Sequence, residues 1–224
     1  FNKYGKHIDT INQYISERNS SNLIQFLHKN NDNNFTNTVI DKIYNNDRQF
    51  YISLIKDGAS IKNPVCLHKL AISLIFNNNS SKDMNDCKEA CRLLDMSIND
   101  GFILSHFIKA RLFYEIFKEN KISYQIAKEG SEKGDKYCAC LLGYFTMRGV
   151  GVQKDFDLGV SMMIDSGCER FYKIFSTEIA INYSKQNDEK KSFKWFQIAF
   201  NYQKTILGNK ILDRFGEFIY TPKS

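Results

Sequence analysis

Apolar side chains recur at helical spacing in short blocks along the chain, separated by glycines or by runs of Asn, Asp and Ser. These blocks predict helices over about 6–17, 20–29, 35–45, 47–57, 64–77, 82–100, 103–118, 121–133, 136–148, 155–169, 171–185, 188–202 and 204–219. Glycine follows several of them, as in Asp57-Gly58, Asp100-Gly101 and Lys133-Gly134, and suits the left-handed residue that closes a helix. The breaks Asn30-Asn31-Asp32-Asn33-Asn34 and Asn77-Asn78-Asn79-Ser80-Ser81 read either as turns between helices or as insertions on one rim.

Aligned on their endings, the blocks repeat. Ala90 and Ser97 precede Gly101 at the same intervals at which Ser123 and Gly130 precede Gly134, and Ser192 and Ala199 precede Gln203. A seven-residue interval keeps these small side chains on one helical stripe, where two backbones approach closely. Large side chains lie between them, as at Leu93-Leu94 and Trp195-Phe196. The preceding helix of each pair has columns of its own: Leu70-Ala71 with Leu74, Ala110-Arg111 with Tyr114, Leu142-Gly143 with Thr146, and Ile179-Ala180 with Tyr183. The interval between repeats varies because the loops vary, and the aligned pairs mark a repeat architecture.

The segment Cys138-x3-Leu142-Gly143-x5-Gly149-x-Gly151-Val152-x2-Asp155 resembles the Sel1-like hairpin, a relative of the tetratricopeptide repeat, and the stretch from Ser192 to Ala199 is similar to its second helix. Thr146 stands where the family has an aromatic, Gly159 where it has the first alanine of the second helix, and one repeat alone keeps the glycine loop. The resemblance covers residues 64–203. It implies an all-α fold, an α/α solenoid of antiparallel helix hairpins in which each hairpin buries its apolar stripe against the next. The expected organisation is degenerate helical repeats over 1–63, Sel1-like repeats over 64–203, and a capping helix and tail over 204–224.

Composition limits what such a chain does. Its 224 residues are 42% hydrophobic and 25% charged, the balance of an ordinary globular protein, and its two prolines leave room for long helices. The formal charge of +6 favours anionic partners mildly, but acids interleave the lysines, as at Asp188-Glu189-Lys190-Lys191, and no basic stripe stands out. No apolar segment is long enough to span a bilayer and no cleavable signal is visible. The first residue is Phe1, which suggests a processed or excised chain.

His7, His28, His68 and His106 are scattered, so no metal site is expected. Cys87 and Cys91 share a helix and Cys138 and Cys140 nearly adjoin; they read as small buried hydrophobes. The disulfide that staples each hairpin in some exported relatives needs a cysteine in both helices of every unit. Cys138 faces Ser166 and Gly167, with Cys168 just beyond, which favours a reducing, cytoplasmic setting while leaving export open. Gly149-x-Gly151 follows a helix, not a strand, and lacks a third glycine, so it is not a phosphate loop. No nucleophile, base and orienter come together in the pattern; no enzyme activity and no cofactor are expected.

In tetratricopeptide-like hairpins the first helices line the ligand groove. Carried over, that geometry puts Val65, His68, Ile72 and Ile75 in the groove, then Ser105, Ile108, Leu112 and Glu115. Tyr137, Cys140, Tyr144 and Met147 follow, then Ile174, Thr177, Ile181 and Ser184. Arg111 and Arg148 beside it are suited to pair with acids at its rim. The lining is apolar for a surface facing water, which suits an amphipathic helix or apolar peptide of a partner protein. The competing expectation is that the chain buries this lining itself. The functional expectation is a protein-interaction adaptor or scaffold, with a bacterial effector or immunity protein as possible settings. A nucleic-acid-binding repeat and a regulatory arm of a larger enzyme are the alternatives.

Overall fold

The computed structural model describes residues 5, 7–76 and 83–215, and their side chains except at 170, 171 and 206–215. The described residues form helices and no strand: α1 (Ile8–Ser16), α2 (Ser20–Lys29), α3 (Asn33–Asn46), α4 (Arg48–Ser60), α5 (Pro64–Ile75), α6 (Met84–Asn99), α7 (Ser105–Leu112), α8 (Asn120–Glu132), α9 (Lys136–Arg148), α10 (Phe156–Asp165), α11 (Glu169–Ile174), α12 (Ser176–Lys185) and α13 (Glu189–Phe215). They fall into two compact units, Phe1–Asp135 with α1–α8 and Lys136–Ser224 with α9–α13.

Short polar side chains start α2, α3, α4, α5 and α10. Asn19, Asp32, Asp47, Asn63 and Asp155 each accept a hydrogen bond from a backbone N–H in the first turn of the helix that follows. Each such cap contributes about 1 kcal/mol. Asn63 accepts from both Val65 and Cys66, ahead of Pro64 at the first helical position, where its missing N–H costs nothing. The Asn30–Asn34 break is therefore a turn: Asn31 is left-handed and Asp32 caps α3. The Asn77–Ser81 run lies outside the described residues.

The small-residue stripe lies where the repeat pattern puts it. Ala90, Ser97, Ser123, Ser192 and Ala199 are buried, and Gly101 and Gly134 are left-handed at the helix ends. In the α7–α8 hairpin the Ser123 hydroxyl donates to the carbonyl of Ala110 at 2.7 Å, and in the α12–α13 hairpin Ser192 donates to Ala180 at 3.0 Å. At the same place in α9–α10 there is no side chain at all. A Cβ on Gly159 would lie 2.3 Å from the Met147 nitrogen, and one on Gly143 would lie 2.7 Å from the Gly159 oxygen, so the two backbones touch.

The first unit is filled by Leu23, Ile24, Leu27, Ile40 and Leu54 around α2–α4, continuing to Val65 and Cys66. A further cluster joins Leu67 and Ala71 of α5, Ala90 and Leu94 of α6, and Leu112 of α7.

Four details differ from the sequence pattern. Gly58 does not end its helix: α4 runs on to Ser60, the left-handed residue is Lys62, and Gly58 is small because a Cβ there would meet the Cys66 sulfur at 2.2 Å. The helix expected over 103–118 is α7 followed by a π-helical turn over Phe113–Phe117, closed by left-handed Lys118. The helix expected over 171–185 breaks at Phe175, where the Ser176 hydroxyl bonds back to the Lys173 carbonyl at 2.6 Å and the Phe175 ring packs on Tyr144. No break separates 188–202 from 204–219: α13 is continuous to Phe215, since neither proline nor glycine interrupts Gln203-Lys204-Thr205, and residues 216–219 lie outside the described residues.

Candidate binding site

In the second unit α9, α11 and α12, with the loop before α10, surround an open recess of about 630 Å³. Met147 is buried beside it, while Ile174 and Ile181 stand 54% and 42% exposed on its wall with Thr177 between them. These are apolar side chains held against water on a short helix pair, and they carry the cost of that exposure unless something covers them.

The polar part is built by pairing across helices. The Arg148 guanidinium at the end of α9 grips the Glu178 carboxylate of α12 in a two-point bridge, at 2.8 and 2.7 Å. A planar fork on a carboxylate is the geometry in which such pairs are strongest. Arg148 also lies over the Tyr144 ring, 5.3 Å from its centre. Lys154, Asn182 and Lys185 complete the polar lining, so the cations outnumber the acid Glu178.

Lys154 is positioned by the glycine loop. Gly149 and Gly151 are left-handed, the Asp155 N–H bonds to the Thr146 carbonyl at 3.0 Å, and the chain folds so closely that a Cβ on Gly149 would stand 3.0 Å from the Lys154 Cβ. Asp155 then caps α10 through the Leu158 N–H.

The expected groove residues part company. Met147, Ile174, Thr177 and Ile181 line the recess of the second unit. Ile75, Ile108, Leu112 and Glu115 line a crevice in the first, with a free volume of only about 10 Å³, no larger than one water needs. There the Arg111 Nε donates to Glu115 at 2.7 Å. Tyr137 is 38% exposed, with the Lys136 ammonium 5.5 Å from its ring centre. Tyr144 is buried: its ring packs on Phe175 with centres 4.4 Å apart. Leu112, Cys140 and Met147 are buried as well, and Ile72 and Ile108 half-buried. For the buried positions the lining is covered by the chain itself. Glu178, Asn182 and Lys185 fall outside the expected stripe because each sits one residue past Thr177, Ile181 or Ser184 on the same helix, and Lys154 because the hairpin loop supplies it. The Gly149-x-Gly151 loop just ahead of Lys154 was the available signal.

Val65, His68 and Ser105, expected in the groove, are buried instead. His68 Nδ1 lies 2.9 Å from the Ser105 hydroxyl, which lies 2.8 Å from that of Ser97, and Ser97 donates to the Pro64 carbonyl at 2.6 Å. Burial pushes the His68 imidazole down to about 3, so it is neutral. A serine–histidine contact this deep is a polar stitch between α5, α6 and α7, with no approach for a substrate. His106 is likewise lowered by burial, its Nδ1 on the Ile103 carbonyl at 2.9 Å and the Lys133 ammonium 3.2 Å from its Nε2. Among the described residues no three His, Cys, Asp or Glu side chains are grouped to hold a metal ion, and no helix is long and apolar enough to cross a membrane.

No family model matches the sequence, and no curated protein is significantly similar to it. Solved structures are similar in fold. A Sel1 repeat protein from Oxalobacter formigenes superimposes with a TM-score of 0.58 at 14% identity, over 80% of this chain and 75% of that one. A protective antigen present in uropathogenic Escherichia coli strains, displaying an SLR fold, gives a TM-score of 0.55 at 12% identity, over 91% of this chain and 52% of that one. The fold is thus an all-α solenoid of helix hairpins of the Sel1-like kind.

Proposed function

We propose that the protein is a non-catalytic interaction module, and that the recess of the second unit takes a short segment of a partner protein. The observation that carries this reading is the pairing of exposed Ile174 and Ile181 with a cationic rim at Arg148, Lys154 and Lys185. An apolar side chain of the partner covers the two isoleucines, and flanking carboxylates meet Lys154 and Lys185. Thr177 and Ile181 touch the partner; Met147 and Tyr144 shape the wall from beneath, and Tyr137 adds contact outside the recess. Ile108, Leu112 and Glu115 belong to a separate crevice too small for a ligand and act structurally. An apolar anchor with acidic flanks separates this reading from nucleic-acid binding, in which phosphates alone would be recognised.

Selection of a random-peptide display library against the whole chain tests it. Enriched peptides should carry a Leu, Ile or Phe anchor beside Asp or Glu, and Ile181→Asp should weaken them by about tenfold or more. Lys185→Glu should weaken them and reduce the salt dependence of binding. Enriched peptides without acids, or binding indifferent to Ile181→Asp, refute the assignment.

A further inference from the structure

A second surface lies on α13, a helix that contributes no residue to the lining of the recess. Aligning the small-residue stripes puts Ser192 of α13 in register with Ala90 of α6, and therefore Phe193, Phe196 and Phe200 in register with Cys91, Leu94 and Ile98. In α6 the middle position is sealed: Leu94 is buried in a cluster with Leu67 and Ala71 of α5 and Leu112 of α7, and Cys91 and Ile98 beside it are half-buried. In α13 the same three places carry larger, aromatic side chains that stand 65%, 44% and 69% exposed. Three exposed phenylalanines on one stripe form the kind of contiguous apolar patch that marks an association surface.

The ends of the stripe say what fits it. Continuing at the same helical spacing, Glu189 lies one turn before Phe193 and Lys204 one turn after Phe200, both exposed, so one face reads acid, three aromatics, base. That order is complementary to itself when reversed. Two copies of α13 laid antiparallel about a two-fold axis set Phe193 against the second copy's Phe200, the two Phe196 rings near the axis, and Glu189 against the second copy's Lys204. A parallel arrangement would set Glu189 against Glu189. A two-fold contact needs such a self-complementary patch.

We infer that the protein forms a homodimer through antiparallel packing of α13 on α13, sealed by Phe193, Phe196 and Phe200 and oriented by the Glu189–Lys204 pairs. This surface is distinct from the recess, and its loss leaves peptide binding there intact.

Sedimentation equilibrium of the full chain over a wide concentration range tests the inference. The wild type should approach twice the 26.1 kDa chain mass. Phe200→Asp should weaken association by about tenfold or more, with the helicity and the melting of the monomer unchanged because that ring is exposed on the single chain. Glu189→Lys and Lys204→Glu should each weaken it about two- to fivefold, and the two changes combined in one chain should restore it. A wild type that stays monomeric at every concentration overturns the dimer and leaves the face to a different protein. Association that survives Phe196→Asp with Phe200→Asp overturns the interface. Failure of the combined charge exchange to restore association overturns the antiparallel register.

Discussion

Replacing Gly159 by alanine sets two effects of opposite sign against each other. Within a helix, alanine is favoured over glycine by about 1 kcal/mol, because the unfolded chain loses less backbone freedom. Against that, the added Cβ would sit 2.3 Å from the Met147 nitrogen and 2.6 Å from both the Met147 Cα and the Gly143 oxygen. All three are backbone atoms of α9, so no side chain can turn aside and the helices must separate. Overpacking of this kind costs about 1–3 kcal/mol, and a rigid backbone contact belongs at the upper end. The clash wins: Gly159→Ala should destabilise the second unit by about 2 kcal/mol, read as a lower urea midpoint by circular dichroism. Ser192→Ala is the internal comparison. It occupies the matching place in α13, where the helices already accommodate a Cβ, and loses only the 3.0 Å bond to the Ala180 carbonyl, about 1 kcal/mol. A Gly159→Ala chain that unfolds at or above the wild-type midpoint would refute the close-contact assignment of α9 and α10.

Ala199→Asp should unfold the α12–α13 hairpin, since Ala199 is 6% exposed and a buried unpaired carboxylate costs several kcal/mol; unchanged helicity and melting would contradict it. Tyr144→Ala should cost about 3 kcal/mol by removing a buried ring from its stack on Phe175, whereas Tyr137→Ala should cost less than about 1 kcal/mol; chemical denaturation of the two variants separates them. His68 gives a pH dependence with a definite sign. Its folded value is depressed to about 3 from 6.5, so below about pH 6.5 the unfolded chain binds the extra proton and stability falls. Between pH 7 and 5 the wild type should lose about 2 kcal/mol more than a His68→Asn chain, and parallel profiles for the two would count against a neutral buried imidazole.

Helices and their pairing were legible from the sequence alone, because both rest on local and periodic features. Asn19, Asp32, Asp47, Asn63 and Asp155, each ahead of an apolar block, become caps, and small residues seven apart mark close contacts whatever the loop lengths, as Ser123 and Ser192 illustrate. The fold class follows from that repeat. Exposure did not follow. Tyr137 and Tyr144 stand seven residues apart on one helix, yet one is exposed and the other buried, because Phe175, thirty-one residues further on, swings inward at the α11–α12 break to cover it. His68 and Ser105 look like surface polar positions in the pattern and become buried partners once α5, α6 and α7 pack together. The cationic rim of the recess gathers Arg148, Lys154 and Lys185 from a helix end, a loop and another helix, an assembly no single period encodes. Sequence periodicity determines which face of a helix is apolar, but only the neighbours it meets decide which part of that face is covered, and hence where the protein has surface left to bind with.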